Sequence, residues 1–251
     1  MLNGKKGLVI GLANEHSIAF AAARMLQAQG AEVIATCLND KARQYVEPIT
    51  EPLAMPLINL NVENEGELEA VIKQAATQLG QIDFVVHSIA FAPLDDLHGP
   101  LHASSADGFK RAMDISCHSF IQLAHLVRGH MPNGGALMTM SYLGAHLAVP
   151  NYGLMGPVKA ALESSVRYLA SELGGDNIRV HAISPGPIAT RAASGIAHFD
   201  ELMANVAERT PLKRLVHQDE VAGLVAFLAS DLATGMTGQT LYVEAGEHMV
   251  P

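Results

Sequence analysis

The chain contains no tryptophan, and aromatic residues make up only 5% of its 251 positions. A core without large aromatic plates must be packed from aliphatic side chains, which the 49% hydrophobic content supplies. Cysteine is equally scarce. The two present, Cys37 and Cys117, fall in a predicted strand and a predicted helix and show no CxxC spacing. They read as buried free thiols of a reducing compartment, not as a disulfide framework or a metal site. Charged residues are only 16% of the chain, which suits a surface partly covered in an oligomer. Basic residues are outnumbered, 16 Lys and Arg against 25 Asp and Glu, giving a formal charge of -9 without any basic cluster. That balance argues against a nucleic-acid partner. Long apolar runs are missing too. The run after Lys5 and Lys6 is interrupted by Asn14, Glu15 and His16, too soon for a signal peptide or a membrane span, so a cytoplasmic location is expected. His98, His102, His146, His198, His217 and His248 are scattered without HExxH-like spacing, so no metal is expected.

What is present is a regular alternation of strands and helices. Lys6 to Gly11 reads as a short buried strand ending in glycine. Ser17 caps a helix to about Gln29, which Gly30 stops, and Glu32 to Leu38 is a second strand. This is a βαβ unit. A helix from Lys41 is expected to end at Pro48. Strands follow at Pro56–Asn61 and Ile82–His87, flanking an amphipathic helix over 65–79 whose stripe is Leu68, Val71, Ile72, Ala75 and Leu79. Ser88 to about Ala106 reads as loop, and 107–129 as one long helix. Strands at 136–140, 178–184 and 239–243 complete the set, with helices at about 151–173, 199–207 and 216–229. The strands are near-continuous apolar runs, as parallel strands buried on both faces should be. With no repeat or linker, residues 1–251 are expected to form one α/β domain. Its architecture is Rossmann-like and doubly wound, a parallel sheet with helices on both faces.

Tyr152 and Lys159 stand seven residues apart, close to two helical turns, so both are expected on one face of the helix over 151–173. A phenol can donate a proton to an oxygen that gains negative charge. An ammonium can lower the phenol's pKa and bond a ribose hydroxyl. Taken alone, the pair reads better as a packing tyrosine and a solvated lysine, since structural pairs far outnumber catalytic ones. In an open parallel sheet the ligand sits beyond the carboxyl ends of the strands where strand order reverses. The turn after the first strand keeps Gly11 but lacks G-x-G-x-x-G, leaving the helix start at Ser17 and Ile18 to favour a pyrophosphate. The second strand ends Leu38, Asn39, Asp40 with no basic side chain at its tip, which favours NADH. Lys41 and Arg43 leave NADPH open. His87 reads as a buried hydrogen-bonded residue, not a base.

Several motifs stand in order: Gly11 with Ser17-Ile18-Ala19, His87-Ser88-Ile89-Ala90-Phe91-Ala92-Pro93, Ser141-Tyr142-Leu143-Gly144-Ala145, Pro150-Asn151-Tyr152, Met155-Gly156, Lys159-Ala160 and Ser184-Pro185-Gly186-Pro187-Ile188. Together they resemble the short-chain dehydrogenase/reductase superfamily and, within it, the bacterial enoyl-acyl-carrier-protein reductases of the FabI type. Commoner superfamily members place the tyrosine four residues before the lysine, where this chain has Met155. The seven-residue spacing is the one the enoyl reductases use. The similarity runs from about Leu8 to Val243.

The resemblance implies a seven-stranded sheet, a homotetramer, and hydride transfer from NADH to the β-carbon of a trans-2-enoyl thioester carried on acyl-carrier protein, in fatty-acid or specialised acyl synthesis. It assigns Tyr152, Lys159 and Tyr142 to catalysis. It assigns Gly11, Ser17, Ile18, Leu38, Asn61, Val62, Ser88, Ile89, Lys159, Ile188 and Thr190 to cofactor contact. Ala92, Tyr142, Tyr152, Met155, Ile196 and Phe199 fall to the substrate pocket, and residues from about 187 to 210 to a lid. This chain departs from the family in places. The helix near the lid, basic in well-known members, here begins Ala197-His198-Phe199-Asp200-Glu201, and its acids oppose docking of an acidic carrier. Leu147 stands where Arg is frequent, Ala90 where Gly is frequent, and Leu38 where a polar residue is usual. The alternatives are a carbonyl or alcohol oxidoreductase of the wider superfamily and a non-catalytic NAD(H)-binding protein.

Overall fold

The structure is a computed structural model that describes residues 1–190, 193 and 198–250. Among these residues seven strands form one sheet: β1 (Lys6–Leu12), β2 (Glu32–Cys37), β3 (Leu57–Asn59), β4 (Phe84–His87), β5 (Gly135–Met140), β6 (Ile178–Pro185) and β7 (Thr240–Val243). Every pairing is parallel and the order is β3-β2-β1-β4-β5-β6-β7. The chain builds outward from β1 to β3, then returns to lay β4 against the other side of β1. Strand order reverses there, and a crevice opens above the carboxyl ends of β1 and β4.

Helices cover both faces. One layer, α3 (Glu67–Leu79), α6 (Ser119–Arg128) and α7 (Met155–Leu173), packs Leu68, Ile72, Phe120, Leu123, Val158 and Leu162 against Leu8, Ile10, Val85 and Leu137. The other, α1 (Ile18–Ala28) and α9 (Gln218–Ala229), packs Ala22, Leu26, Val221 and Val225 against Val9, Phe84, Val86 and Met138. Alternate residues of each strand thus enter opposite layers, as the pleat requires. The predicted cap is present: the Ser17 hydroxyl accepts from the Phe20 amide at 3.3 Å.

Four predicted boundaries are corrected. First, α2 (Asp40–Thr50) runs through Pro48 instead of ending there. The proline falls in the last turn, and burial of Val46 and Thr50, with the Thr50 hydroxyl bonded to the Val46 carbonyl at 3.2 Å, carries the helix past it. Second, the predicted loop after His87 contains α4 (Leu94–His98) and a single turn over Leu101–Ala103. Third, the predicted long helix is α5 (Ala106–Met113) joined to α6 by a π-helical turn over Asp114–His118. The widened turn aims Ser116 at Phe91: its hydroxyl accepts from the Phe91 amide at 2.9 Å and donates to the Phe91 carbonyl at 3.0 Å. Fourth, α7 begins at Met155, so Pro157 sits in the first turn, where its missing N–H breaks no helical bond. Tyr152 therefore precedes the helix. It is not on one helical face with Lys159.

Candidate active site

Two cavities meet above the sheet at Ala90 and Phe91. The first, about 480 Å³, lies over β1, β2 and β4 and is lined by Gly11, Leu38, Asn61, Val62, Ser88 and Ile89 among others. Gly11 sits at φ +100, and an added Cβ would fall 2.3 Å from the Ser88 carbonyl oxygen. Only glycine lets the two strand ends approach this closely. The second cavity, about 640 Å³, is lined by Ile18, Ala92, Tyr142, Tyr152, Met155, Ile188, Thr190 and Phe199, with Phe91, Leu94, Leu97 and Ser141. All of these but the last four had been assigned from sequence. Ile196 lies outside the described residues, as does most of the predicted lid between Thr190 and His198. α8 (Phe199–Arg209) follows it, two residues longer than expected, and presents Phe199 to the cavity.

The two cavities together offer room for a dinucleotide and a substrate. The groove is lined by apolar side chains with Gly11, and by the polar Asn39, Lys41, Asn61 and Ser88, while Ile18, the first residue of α1, lines the second cavity near the free amides of a helix start. Ser17 does not line either cavity; its hydroxyl donates to the Asn14 carbonyl at 2.7 Å and builds the helix start. At the tip of β2, Lys41 lines the groove, whereas Arg43 turns inward to Asn59 at 3.2 Å, the Leu57 carbonyl at 2.9 Å and Glu47 at 3.1 Å. Of the two cations near a cofactor ribose, one is thereby committed elsewhere.

Tyr152 is held by the turn Asn151–Leu154. Asn151 takes a left-handed φ of 61, which asparagine tolerates, and the Tyr152 amide bonds the Val149 carbonyl at 3.2 Å. Its ring meets the Tyr142 ring nearly edge-on, centroids 4.7 Å apart, and both are buried. Burial pushes the Tyr152 phenol well above its ordinary pKa, with Tyr142 and then Glu163 adding to the shift. Burial also raises Tyr142, helped by the Glu247 carboxylate. The sequence reading expected a lowered phenol. Desolvation wins instead, so both tyrosines keep their protons and act as neutral donors. The Tyr142 hydroxyl has no bonding partner among the described residues.

Lys159 lies behind the tyrosines, 4% exposed, and its amine donates to the Met140 carbonyl at 2.7 Å. Burial lowers its pKa to about 8, with the nearby Glu163 carboxylate working in the opposite direction. One turn further along α7, the buried Glu163 carboxylate accepts from the Ser141 hydroxyl at 2.5 Å and meets His146 Nε2 at 2.6 Å. The sequence reading missed Ser141, Phe91, Glu163 and the role of His146. A Lys and a Glu four residues apart could have flagged the pair, but that spacing usually marks a solvated helix face. His87 is a buried residue bonded to Thr139 at 3.1 Å and Ser119 at 2.9 Å; burial, then Lys159, lowers its pKa to about 3, so it stays neutral. Cys37 and Cys117 are free and buried.

A parallel sheet with this strand order, a groove at its reversal point, Tyr152 in the adjoining cavity and a buried Lys159 on α7 define a short-chain dehydrogenase/reductase. Comparison narrows the class. The sequence profile described as Enoyl-(Acyl carrier protein) reductase matches residues 11–248, and the chain belongs to that family. It is 46% identical to the NADH-dependent enoyl-[acyl-carrier-protein] reductase FabI of Nostoc sp., covering 98% of this chain and 96% of that one. It is 42% identical to the NADPH-dependent FabI of Staphylococcus aureus over 99% and 98% of the two chains. Among solved structures, the Bacillus cereus enzyme with NADP+ and an indole naphthyridinone superposes at a TM-score of 0.97 with 40% identity, covering 100% of this chain and 98% of that one. The Anaplasma phagocytophilum enzyme with NAD superposes at 0.95 with 41% identity over 99% and 95%.

Proposed function

We propose that this chain reduces the trans-2 double bond of an enoyl thioester on acyl-carrier protein in fatty-acid biosynthesis, with NADH as its preferred reductant. The observation that carries the reading is the edge-on Tyr142–Tyr152 pair, 4.7 Å between centroids, in a cavity that opens into the dinucleotide groove. Gly11, Ile18, Leu38, Asn61, Val62, Ser88, Ile89, Ile188 and Thr190 would hold the cofactor, with Ser17 shaping the helix start beside it. The bound nicotinamide supplies the hydride.

Reduction at the β-carbon moves negative charge onto the thioester oxygen. The Tyr152 hydroxyl, still protonated, donates to that oxygen and stabilises the enolate without having to ionise. Tyr142 closes the other side of the thioester. The Lys159 ammonium has three donors and spends one on Met140, which leaves two for the nicotinamide ribose hydroxyls. Ala92, Met155 and Phe199 enclose the acyl chain; Ile196 as a substrate residue and a lid over about 187–210 of the one domain rest on the family resemblance. Lys41 is the cation that would meet a 2′-phosphate; with Arg43 committed, the groove favours NADH.

Asp200 and Glu201 in the first turn of α8 set an acidic surface beside the cavity, so an acidic carrier docks away from that turn. The enzyme acts as a homotetramer in the cytoplasm.

The test follows NADH and NADPH oxidation with trans-2-enoyl thioesters on carrier protein and on CoA, and with ketones. Turnover on the enoyl thioesters is expected. Turnover on ketones alone, or cofactor binding without turnover on any substrate, overturns the reading.

A further inference from the structure

Six residues, Ser141 to His146, leave the tip of β5 and turn back toward α7. They carry Tyr142 and form the bed of Tyr152: an added Cβ on Gly144 would stand 2.3 Å from the Tyr152 ring. The ring thus lies directly on this short segment, and any shift of the segment displaces both phenols. Its two ends are bonded to a single carboxylate. Ser141 donates to one oxygen of Glu163 at 2.5 Å, and His146 Nε2 meets the other at 2.6 Å. Glu163 is 2% exposed, while the His146 side chain is 49% exposed and covers the carboxylate from the solvent side.

A buried carboxylate is costly unless its oxygens are bonded, so this arrangement persists only while both ends stay in place. One turn back on α7, Lys159 grips the residue before Ser141 through the Met140 carbonyl. Two successive turns of α7 thereby hold Met140, the last residue of β5, and Ser141 just beyond it. We propose that Glu163 is a positioning residue of the reductase, whose carboxylate clamps the segment Ser141–His146 at both ends and so fixes Tyr142 and Tyr152 against the substrate. Lys159, Tyr152 and Tyr242 also face its charge. The negative carboxylate supports the Lys159 ammonium and opposes ionisation of the phenols. The inference rests on the enoyl-reductase reading for its kinetic consequence, but its geometric consequence stands alone.

The test uses the full-length enzyme with NADH and a trans-2-enoyl thioester. Glu163→Ala is expected to lower kcat about tenfold or more while leaving the KM for NADH within about twofold, because misplaced reacting groups cost rate more than binding. Glu163→Gln, which keeps an acceptor for Ser141 and a donor for the His146 ring, is expected to restore most of kcat. Ser141→Ala and His146→Ala each remove one arm, and each is expected to lose several-fold in kcat; on the Glu163→Ala background neither loses more. These single-arm variants carry the test if Glu163→Ala does not fold.

Fluorine NMR of the protein labelled with 3-fluorotyrosine reads the geometry without activity. In Glu163→Ala and in both single-arm variants the Tyr142 and Tyr152 signals shift or broaden, while those of the exposed Tyr45 and Tyr168 do not. Unchanged kcat in a folded Glu163→Ala, a rise in NADH KM at constant kcat, or unmoved Tyr142 and Tyr152 signals overturns the proposal. A wild-type enzyme without enoyl reduction overturns the functional reading instead, and the NMR result then still decides whether the clamp exists.

Discussion

The dinucleotide groove and the substrate cavity share Ala90 and Phe91, yet they are built from different material. The groove is made of strand tips, a glycine that permits close approach and apolar side chains. Its polar side chains, Asn39, Lys41, Asn61 and Ser88 among them, sit at strand tips and turns. The cavity depends on named side chains: two buried phenols and a lysine, set by a carboxylate that binds two partners. The groove can therefore lose the later glycines of G-x-G-x-x-G and keep its shape. The cavity cannot lose Tyr152 or Lys159 and keep its chemistry. Tolerance follows from whether function is carried by backbone or by side chain.

Substitutions sharpen this contrast. Lys159→Ala is expected to lower kcat/KM by about 10³-fold, because the role proposed for it supplies both a ribose contact and a charge near the reacting oxygen; steady-state kinetics checks it. The same amine sets a pH limit. In the proposed role its charged form is the active one, and with its pKa lowered to about 8, kcat/KM is expected to fall as pH rises through about 8 and to be steady below it. A profile flat to pH 10 on the order-of-magnitude scale of an unperturbed lysine would break the link between burial and activity. On the groove side, Gly11→Ala places a Cβ against the Ser88 carbonyl at a left-handed φ. It is expected to cost about 1–3 kcal/mol of stability and to weaken NADH binding, read by thermal unfolding and by cofactor titration. Lys41→Ala has the smallest effect: NADPH affinity falls by about threefold and NADH affinity holds, the scale of one exposed ion pair. If Lys41→Ala weakened both cofactors equally, the lysine would not be reading the 2′ position.

The same division explains what the sequence made legible. The strands, the layer helices and the Ser17 cap follow from periodicity and local hydrogen bonding, which act over a few residues. The reversal point and Gly11 follow from the βαβ pattern. Tyr152 was placed on the wrong element, because a seven-residue spacing is equally consistent with a helix and with a turn leading into one. Pro157 held the clue: a proline three residues into a helix marks its first turn, and Met155 is where α7 begins. Glu163 and His146 were illegible because burial decides them. On an exposed helix Glu163 would be one more partner for Lys159; only the packing of α7 against β6 and the turn over Leu143–Ala145 turns it toward Ser141. The raised Tyr152 pKa has the same origin, since sequence shows a lysine nearby but not that both groups lie out of water.

One measurement addresses the central claim, that a protonated phenol at the groove's rim stabilises an enolate oxygen. Tyr152→Phe removes that proton and leaves the ring. Single-turnover reduction of a carrier-bound trans-2-enoyl thioester by the pre-formed NADH complex is expected to slow by about 10²–10³-fold, with NADH affinity unchanged. A Tyr152→Phe enzyme that reduces the thioester at the wild-type rate would contradict the account.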